Sequence, residues 1–289
     1  MSGRLLLLCP GQGGQHAHMF DLARAHAGAR AFLEHCALPD DPQALFDNRV
    51  AQPAIVAATL AMWLALRDTL PAPALITGYS VGELAAYGVA GALPLEQAVG
   101  LARARAALMD AAAAGVAQGL AAVSGVDVGQ VGAGVAIVTG HDTCIVGGVL
   151  ARLDAMSDRW PGARIQRLPV GVASHTALMQ AAVAPFGALL EQSTLTAPRV
   201  PVLAGIDAGR VLRREVAIDR LSRQLAETIE WSACMDACSE AGITVALELG
   251  PGAALARMLQ ARHPHIACRS VADFQTLPGI AGWVARALD

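Results

Sequence analysis

The chain has 289 residues, of which 54% are hydrophobic, 16% charged and 4% aromatic, with a formal net charge of −3. A chain of this length and apolarity can bury a large core built from Ala, Leu and Val, and its nearly balanced, unclustered charge argues against nucleic acid as a partner. The six cysteines (Cys9, Cys36, Cys144, Cys234, Cys238 and Cys268) are scattered without a Cys-x-x-Cys pair, so reduced thiols and a cytoplasmic location are expected rather than a disulfide frame or a metal centre.

Residues 5–8 read as a buried strand stopped by Pro10, too short for a signal-peptide core. The glycine-rich loop Gly11-Gln12-Gly13-Gly14-Gln15 follows. Residues 51–69 read as a helix apolar on most sides, broken by Pro71 and Pro73. Its apolar stretch, 54–66, runs into Arg67 and Asp68 and falls short of the roughly 20 residues of a membrane span. A short strand at 74–77, a turn at 78–82, a helix from 81 and a second helix at 95–114 come next. From about Gly115 the order is strand 120–124, short helix, strands 135–138 and 144–147, helix 150–160, strand 165–168. That β-α-β-β-α-β order predicts a ferredoxin-like unit. A helix at 174–190, a strand near 200–204, an Arg-rich segment, a helix near 232–241 and a late strand at 245–249 follow. Leu249-Gly250-Pro251-Gly252 then turns into a last helix. Alternating strands and helices predict an α/β fold. Residues 1–115 and 170–289 are expected to form a large α/β-hydrolase-like domain with a parallel sheet core, and 116–169 an inserted small ferredoxin-like subdomain.

Gly78-Tyr79-Ser80-Val81-Gly82 has the form G-x-S-x-G. Where a strand turns sharply into a helix, glycines on either side of a serine leave room for its hydroxyl to stand exposed at the apex. The helix N-terminus then offers unpaired N–H groups to a developing oxyanion. A structural turn with an incidental serine fits the pattern as well. The Gly11–Gly14 loop lacks both the Lys-Ser/Thr of a P-loop and the spacing of a dinucleotide site. On the helix at 95–114, Arg105 has Leu101, Leu108 and Met109 as helical neighbours, so it should point inward. A buried guanidinium needs an anion, which is either a structural Asp or Glu or a carboxylate of the substrate. No His/Cys/Asp set with metal-ligand spacing occurs.

Gly78-Tyr79-Ser80-Val81-Gly82-Glu83-Leu84 resembles the G-H-S-x-G-E nucleophile segment of the malonyl-CoA:acyl-carrier-protein transacylases. Five further segments resemble that family in order along the chain. They are Pro10-Gly11-Gln12-Gly13-Gly14-Gln15, Gln52-Pro53-Ala54, Arg105 with Met109, Ser174-His175-Thr176-Ala177-Leu178-Met179, and Glu248-Leu249-Gly250-Pro251-Gly252. Tyr79 stands where histidine is usual, and Thr139-Gly140-His141-Asp142-Thr143 lacks the usual asparagine. The Tyr-Ser-Val-Gly-Glu version looks like the malonyltransferase (epsilon) subunit of bacterial malonate decarboxylase.

The resemblance implies a malonyl group carried on Ser80 from CoA to a carrier-protein thiol, with no bound cofactor and no metal. His175, one of eight histidines, becomes the general base. It is expected at a helix start, where the dipole favours neutral imidazole. His16 and His18 are its competitors. The backbone N–H groups of Gln12 and Val81 become the oxyanion hole. Arg105 becomes the clamp for the malonyl carboxylate, and a backbone carbonyl near Gln224 orients the imidazole. Partners implied are malonyl-CoA, an acyl carrier protein with a phosphopantetheine-type thiol and, in the narrower reading, other malonate decarboxylase subunits, with neither nucleic acid nor membrane. Arg210, Arg213, Arg214, Arg220 and Arg223 form either a solvated face or a docking patch for an acidic carrier. A transacylase of fatty-acid or polyketide synthesis, a serine hydrolase and a non-catalytic assembly subunit are the alternatives.

Overall fold

A computed structural model describes residues 3–39, 41 and 43–289. The run Leu-Leu-Leu-Leu-Cys forms β1 (Leu5–Cys9), buried at every position, as befits a parallel strand covered on both faces. After the glycine loop come α1 (Asp21–Arg24), α2 (Ala27–Cys36) and α3 (Asn48–Leu66). The His26 side chain caps α2 by accepting from Ala29 N, and Asp47 caps α3 by accepting from Arg49 N. Helix α3 is long and apolar enough to cross a membrane, but 78% of its apolar window is buried inside the fold. Its alanines let it lie close against the helices beside it.

β2 (Leu75–Gly78), α4 (Gly82–Val89) and α5 (Leu95–Ala113) complete the first half of the large domain. The smaller unit then runs β3 (Gln118–Ser124), α6 (Val128–Val131), β4 (Val135–Val138), β5 (Thr143–Val149), α7 (Leu150–Asp154), α8 (Met156–Arg159) and β6 (Arg164–Arg167). The chain returns through α9 (Gln180–Gln192), β7 (Val202–Leu203), β8 (Arg210–Val211), α10 (Arg214–Arg223), α11 (Trp231–Glu240), β9 (Val245–Glu248), α12 (Ala254–Arg262), β10 (Ala267–Ser270) and α13 (Leu277–Leu288).

Among the described residues six strands form the main sheet in the order β10-β9-β1-β2-β7-β8, all parallel except the β7–β8 pair. The second sheet is antiparallel, ordered β4-β5-β3-β6. That is the ferredoxin-like order, so the fold class expected from the sequence is the one found. The small sheet is tied to the large domain at one edge. Val138 N donates to Ile229 O (2.8 Å) and Ile229 N to Ala136 O (2.9 Å). Leu120, Ala136 and Ile137 share one apolar cluster with Leu203, Ile229 and Trp231.

Several local expectations are corrected. The region 174–190 is not one helix: α9 begins at Gln180, after a 3-10 turn at Ala177–Met179. The helix expected at 150–160 is two short ones, α7 and α8. The Arg-rich segment contains α10, and α12 is followed by β10 and α13 rather than ending the chain. The fold also contains α2, for which the sequence reading had no element.

Candidate active site

The carboxyl ends of β1 and β2 meet at the glycine loop and the serine turn. β2 ends at Gly78 and α4 starts at Gly82, leaving three residues to reverse direction. Ser80 takes φ 55°, a left-handed conformation that costs a non-glycine residue about 1 kcal/mol or more. Main-chain bonds hold it there: Tyr79 N donates to Cys9 O (2.9 Å), Gly82 N to Tyr79 O (3.0 Å) and Glu83 N to Ser80 O (3.0 Å). A Cβ at Gly82 would lie 2.2 Å from Cys9 O, and one at Gly11 would lie 2.6 Å from Tyr79 O. The two loops can therefore close on each other only with glycine at both positions.

Ser80 Oγ lies 2.7 Å from His175 Nε2, and His175 Nδ1 lies 2.6 Å from the Gln224 backbone carbonyl. A carbonyl only accepts, so Nδ1 carries the proton and Nε2 presents its lone pair to the serine hydroxyl. His175 is also left-handed, with φ 61°, and its N–H donates to Leu225 O (2.9 Å). It therefore does not start a helix, as the sequence suggested. Its basicity is set by burial, with the positive charge of Arg105 as the second cause. Together they bring its pKa down from 6.5 to about 3, against the opposing pull of the Gln224 carbonyl. No helix dipole is needed to keep it neutral. The rival histidines, His16 and His18, are exposed, and His18 pairs with Asp21 instead.

Arg105 is 2% exposed. Its Nη1 donates to Gln52 Oε1 (2.7 Å) and its Nη2 to Gln224 Oε1 (3.2 Å). Both acceptors are neutral, and no Asp or Glu forms an ion pair with it among the described residues. Burial lowers its pKa to about 10, with Glu83 opposing, so it stays charged at neutral pH. Glu83 is separated from it by the Gln224 amide, whose Nε2 donates to Glu83 Oε2 (2.6 Å). Among the described residues no carboxylate touches Arg105 directly; the structural candidate, Glu83, reaches it only through the Gln224 amide.

Gln12 and Val81 flank the serine on the two loops. Among the described residues neither backbone N–H has a hydrogen-bond acceptor. Gln15 braces the glycine loop by accepting from Gly13 N (2.6 Å) and donating to Leu45 O (3.3 Å). Tyr79 stacks edge-on against the buried Trp231, with ring centroids 5.1 Å apart. A groove of about 490 Å³ beside the small sheet reaches His175 and is lined by Gly134, Val149, Arg152, Thr176, Leu178 and Thr228.

Thus the fold brings Ser80, His175, Arg105 and Gln224 together, with the Gln12 and Val81 loops beside them. The sequence reading assigned no role to Gln52, to Glu83 or to the side chain of Gln224, although Gln52 and Glu83 sit inside quoted motifs. The arginine patch is reduced. Arg214 is bound to Glu191, Arg220 to Asp207, and Arg223 to Asp219 and Glu227. Only Arg210 and Arg213 of the five are exposed without an ion pair among the described residues, with the exposed Leu212 between them.

The acyl transferase domain model matches residues 7–273. The chain is 30% identical to a malonyl CoA-acyl carrier protein transacylase of Mycobacterium tuberculosis, over 96% of this chain and all of that one. It is 31% identical to the polyketide biosynthesis protein ThaF of Burkholderia thailandensis, over 96% of this chain and 26% of the relative. Among solved structures it superposes on MCAT from Mycobacterium tuberculosis with a TM-score of 0.89 and 29% identity, covering 96% of this chain and 99% of that one.

Proposed function

The chain belongs to the acyl transferase family and, within it, to the malonyl-CoA:acyl-carrier-protein transacylases; from that premise we propose that it moves a malonyl group from CoA to a carrier-protein thiol through a malonyl ester on Ser80. The observation that carries the substrate is Arg105, a buried cation bound among the described residues only to amide oxygens. An acyl group ending in a carboxylate supplies the missing anion.

In the loading step Ser80 Oγ attacks the thioester carbonyl while its proton passes to His175 Nε2. The N–H groups of Gln12 and Val81 hold the oxyanion. The C–S bond then breaks, and the proton on His175 goes to the departing CoA sulfur. In the second half the carrier thiol gives its proton to His175 and attacks the ester, and Ser80 recovers its proton. Gln224 keeps the imidazole in the required tautomer throughout. The groove at His175 suits a long, thin thiol arm, and Arg210 with Arg213 is the remaining candidate for meeting an acidic carrier.

A transacylase of fatty-acid or polyketide synthesis is the reading the relatives favour, ahead of the malonyltransferase (epsilon) subunit of malonate decarboxylase. The Tyr79-Ser80-Val81-Gly82-Glu83 segment is the one observation that favours the latter, in which other decarboxylase subunits would be partners. Intact-mass measurement after mixing with malonyl-CoA tests the common chemistry. One malonyl adduct is expected on the native chain and none on Ser80→Ala; an unmodified native chain refutes the proposal. Free malonate released at the same rate without a thiol acceptor would make it a hydrolase. Comparing acceptor carriers separates the two pathways.

A further inference from the structure

Arg105 stands in the middle of a side-chain chain that runs from the protein surface to the core. At the outer end Asp110 Oδ1 accepts from Asn48 Nδ2 (2.7 Å), Asn48 Oδ1 from Gln52 Nε2 (2.8 Å), and Gln52 Oε1 from Arg105 Nη1 (2.7 Å). At the inner end Arg105 Nη2 donates to Gln224 Oε1 (3.2 Å), and Gln224 Nε2 donates to Glu83 Oε2 (2.6 Å). Glu83 Oε2 also accepts from Gly205 N (3.0 Å). Three carboxamides thus link one guanidinium to two carboxylates.

A carboxylate only accepts, a guanidinium only donates, and a carboxamide has one edge of each kind. Each of the three amides, taken alone, can sit either way round. With acceptors at both ends and a donor in the middle, one arrangement satisfies every contact. The NH₂ groups face the carboxylates and the oxygens face Arg105. Reversing Gln224 would set its NH₂ against the guanidinium and its oxygen against Glu83, losing two buried hydrogen bonds and creating two repulsions.

The geometry points to Glu83 and Asp110 as positioning residues that hold the Gln224 and Gln52 oxygens on Arg105 and so fix the guanidinium for a substrate carboxylate. This rests on the reading of Arg105 as the carboxylate clamp. Neither residue is placed at a reacting atom. Glu83 has the larger influence, because the residue it orients also carries the carbonyl that holds His175 Nδ1. Glu83 is 1% exposed, and burial pushes its carboxyl up to about 7. Its Oε1 has no hydrogen-bond partner among the described residues. A proton there leaves Oε2 an acceptor, so the polarity of the chain survives protonation. Asp110 is half-buried and also accepts from Arg49 Nε (2.8 Å), which anchors the outer end.

The test is the ratio of kcat/KM for malonyl-CoA to that for acetyl-CoA, followed as Ser80 loading in the full chain. Glu83→Met removes the acceptor at similar size, and Glu83→Gln keeps an acceptor without the charge. Glu83→Met should lower the malonyl preference roughly tenfold and Glu83→Gln by less than about threefold. A preference unchanged in Glu83→Met, or lowered equally in both, overturns the inference. Arg105→Met, run in parallel, separates the two levels. If it keeps the malonyl preference the clamp reading itself fails; if it loses the preference while Glu83→Met does not, only the positioning role fails. Should Glu83→Met not fold, Asp110→Leu tests the chain from its accessible end. A drop of about threefold is expected there, and no drop overturns the inference.

Discussion

Replacing Arg105 by methionine keeps an unbranched side chain in a site that is 2% exposed and removes the only charge proposed to meet the substrate. In the free protein that charge rests on two amide oxygens at 2.7 and 3.2 Å. A carboxylate seated against it gains charge-assisted hydrogen bonds worth about 1.5–3 kcal/mol each. Two such bonds, partly offset by the cost of desolvating the carboxylate, correspond to a fall in malonyl kcat/KM of roughly 10²–10³-fold. Acetyl-CoA lacks the carboxylate and escapes this loss. Its loading should rise, because Arg105 is the second cause of the low His175 pKa. Rapid-quench loading of Ser80 with each thioester gives both constants. A malonyl-to-acetyl ratio equal to that of the native chain would refute the reasoning.

Gly11→Ala would set a Cβ 2.6 Å from Tyr79 O and push the Gln12 amide off the serine loop. The expected result is a loading rate about 10²-fold lower together with a lowered melting temperature, since the clash is with a main-chain oxygen, and a rate within threefold of native would remove the loop from the oxyanion site. His175 has a folded-state pKa near 3, below its unfolded 6.5. The unfolded chain therefore binds a proton that the folded one does not, and this contribution is complete above pH 6.5 and lost as pH falls below it. Between pH 7.5 and 5 the native chain should lose about 2 kcal/mol relative to His175→Gln, measured by urea denaturation, and a constant gap would mean that the imidazole is protonated when folded.

The parts of the fold legible in sequence are those whose signal is local. The apolar run of β1 announces a central strand, and the strand–helix alternation of residues 118–167 announces the small sheet. Other elements hide their pattern. In α10 the buried Ala217, Ile218, Leu221 and Ser222 lie between arginines. In α13, Pro278, Gly279 and Gly282 read as loop residues, and β10 is a four-residue edge strand. The site divides in the same way. Ser80 and Arg105 are legible because the turn and the helix face that place them are contiguous. The conformation of His175 is not, since its left-handed backbone is held by Leu225, fifty residues on. Glu83 gives no sign of its role because its partner Gln224 is 141 residues away.

The electrostatics of the free site make recognition and catalysis one problem. Burial and Arg105 both depress the basicity of His175, so the unloaded enzyme holds a neutral but weak base. A carboxylate placed on Arg105 offsets the charge that weakens the imidazole. The base is therefore strengthened when a dicarboxylic acyl group is bound, and an acetyl group leaves it as it was. Geometry need not change for this to happen. Ser80 and His175 are already 2.7 Å apart, each in a strained conformation pinned by main-chain bonds. On this argument the preference for malonyl is expressed in kcat as well as in KM. A clamp that acted through affinity alone would leave kcat for the two thioesters equal.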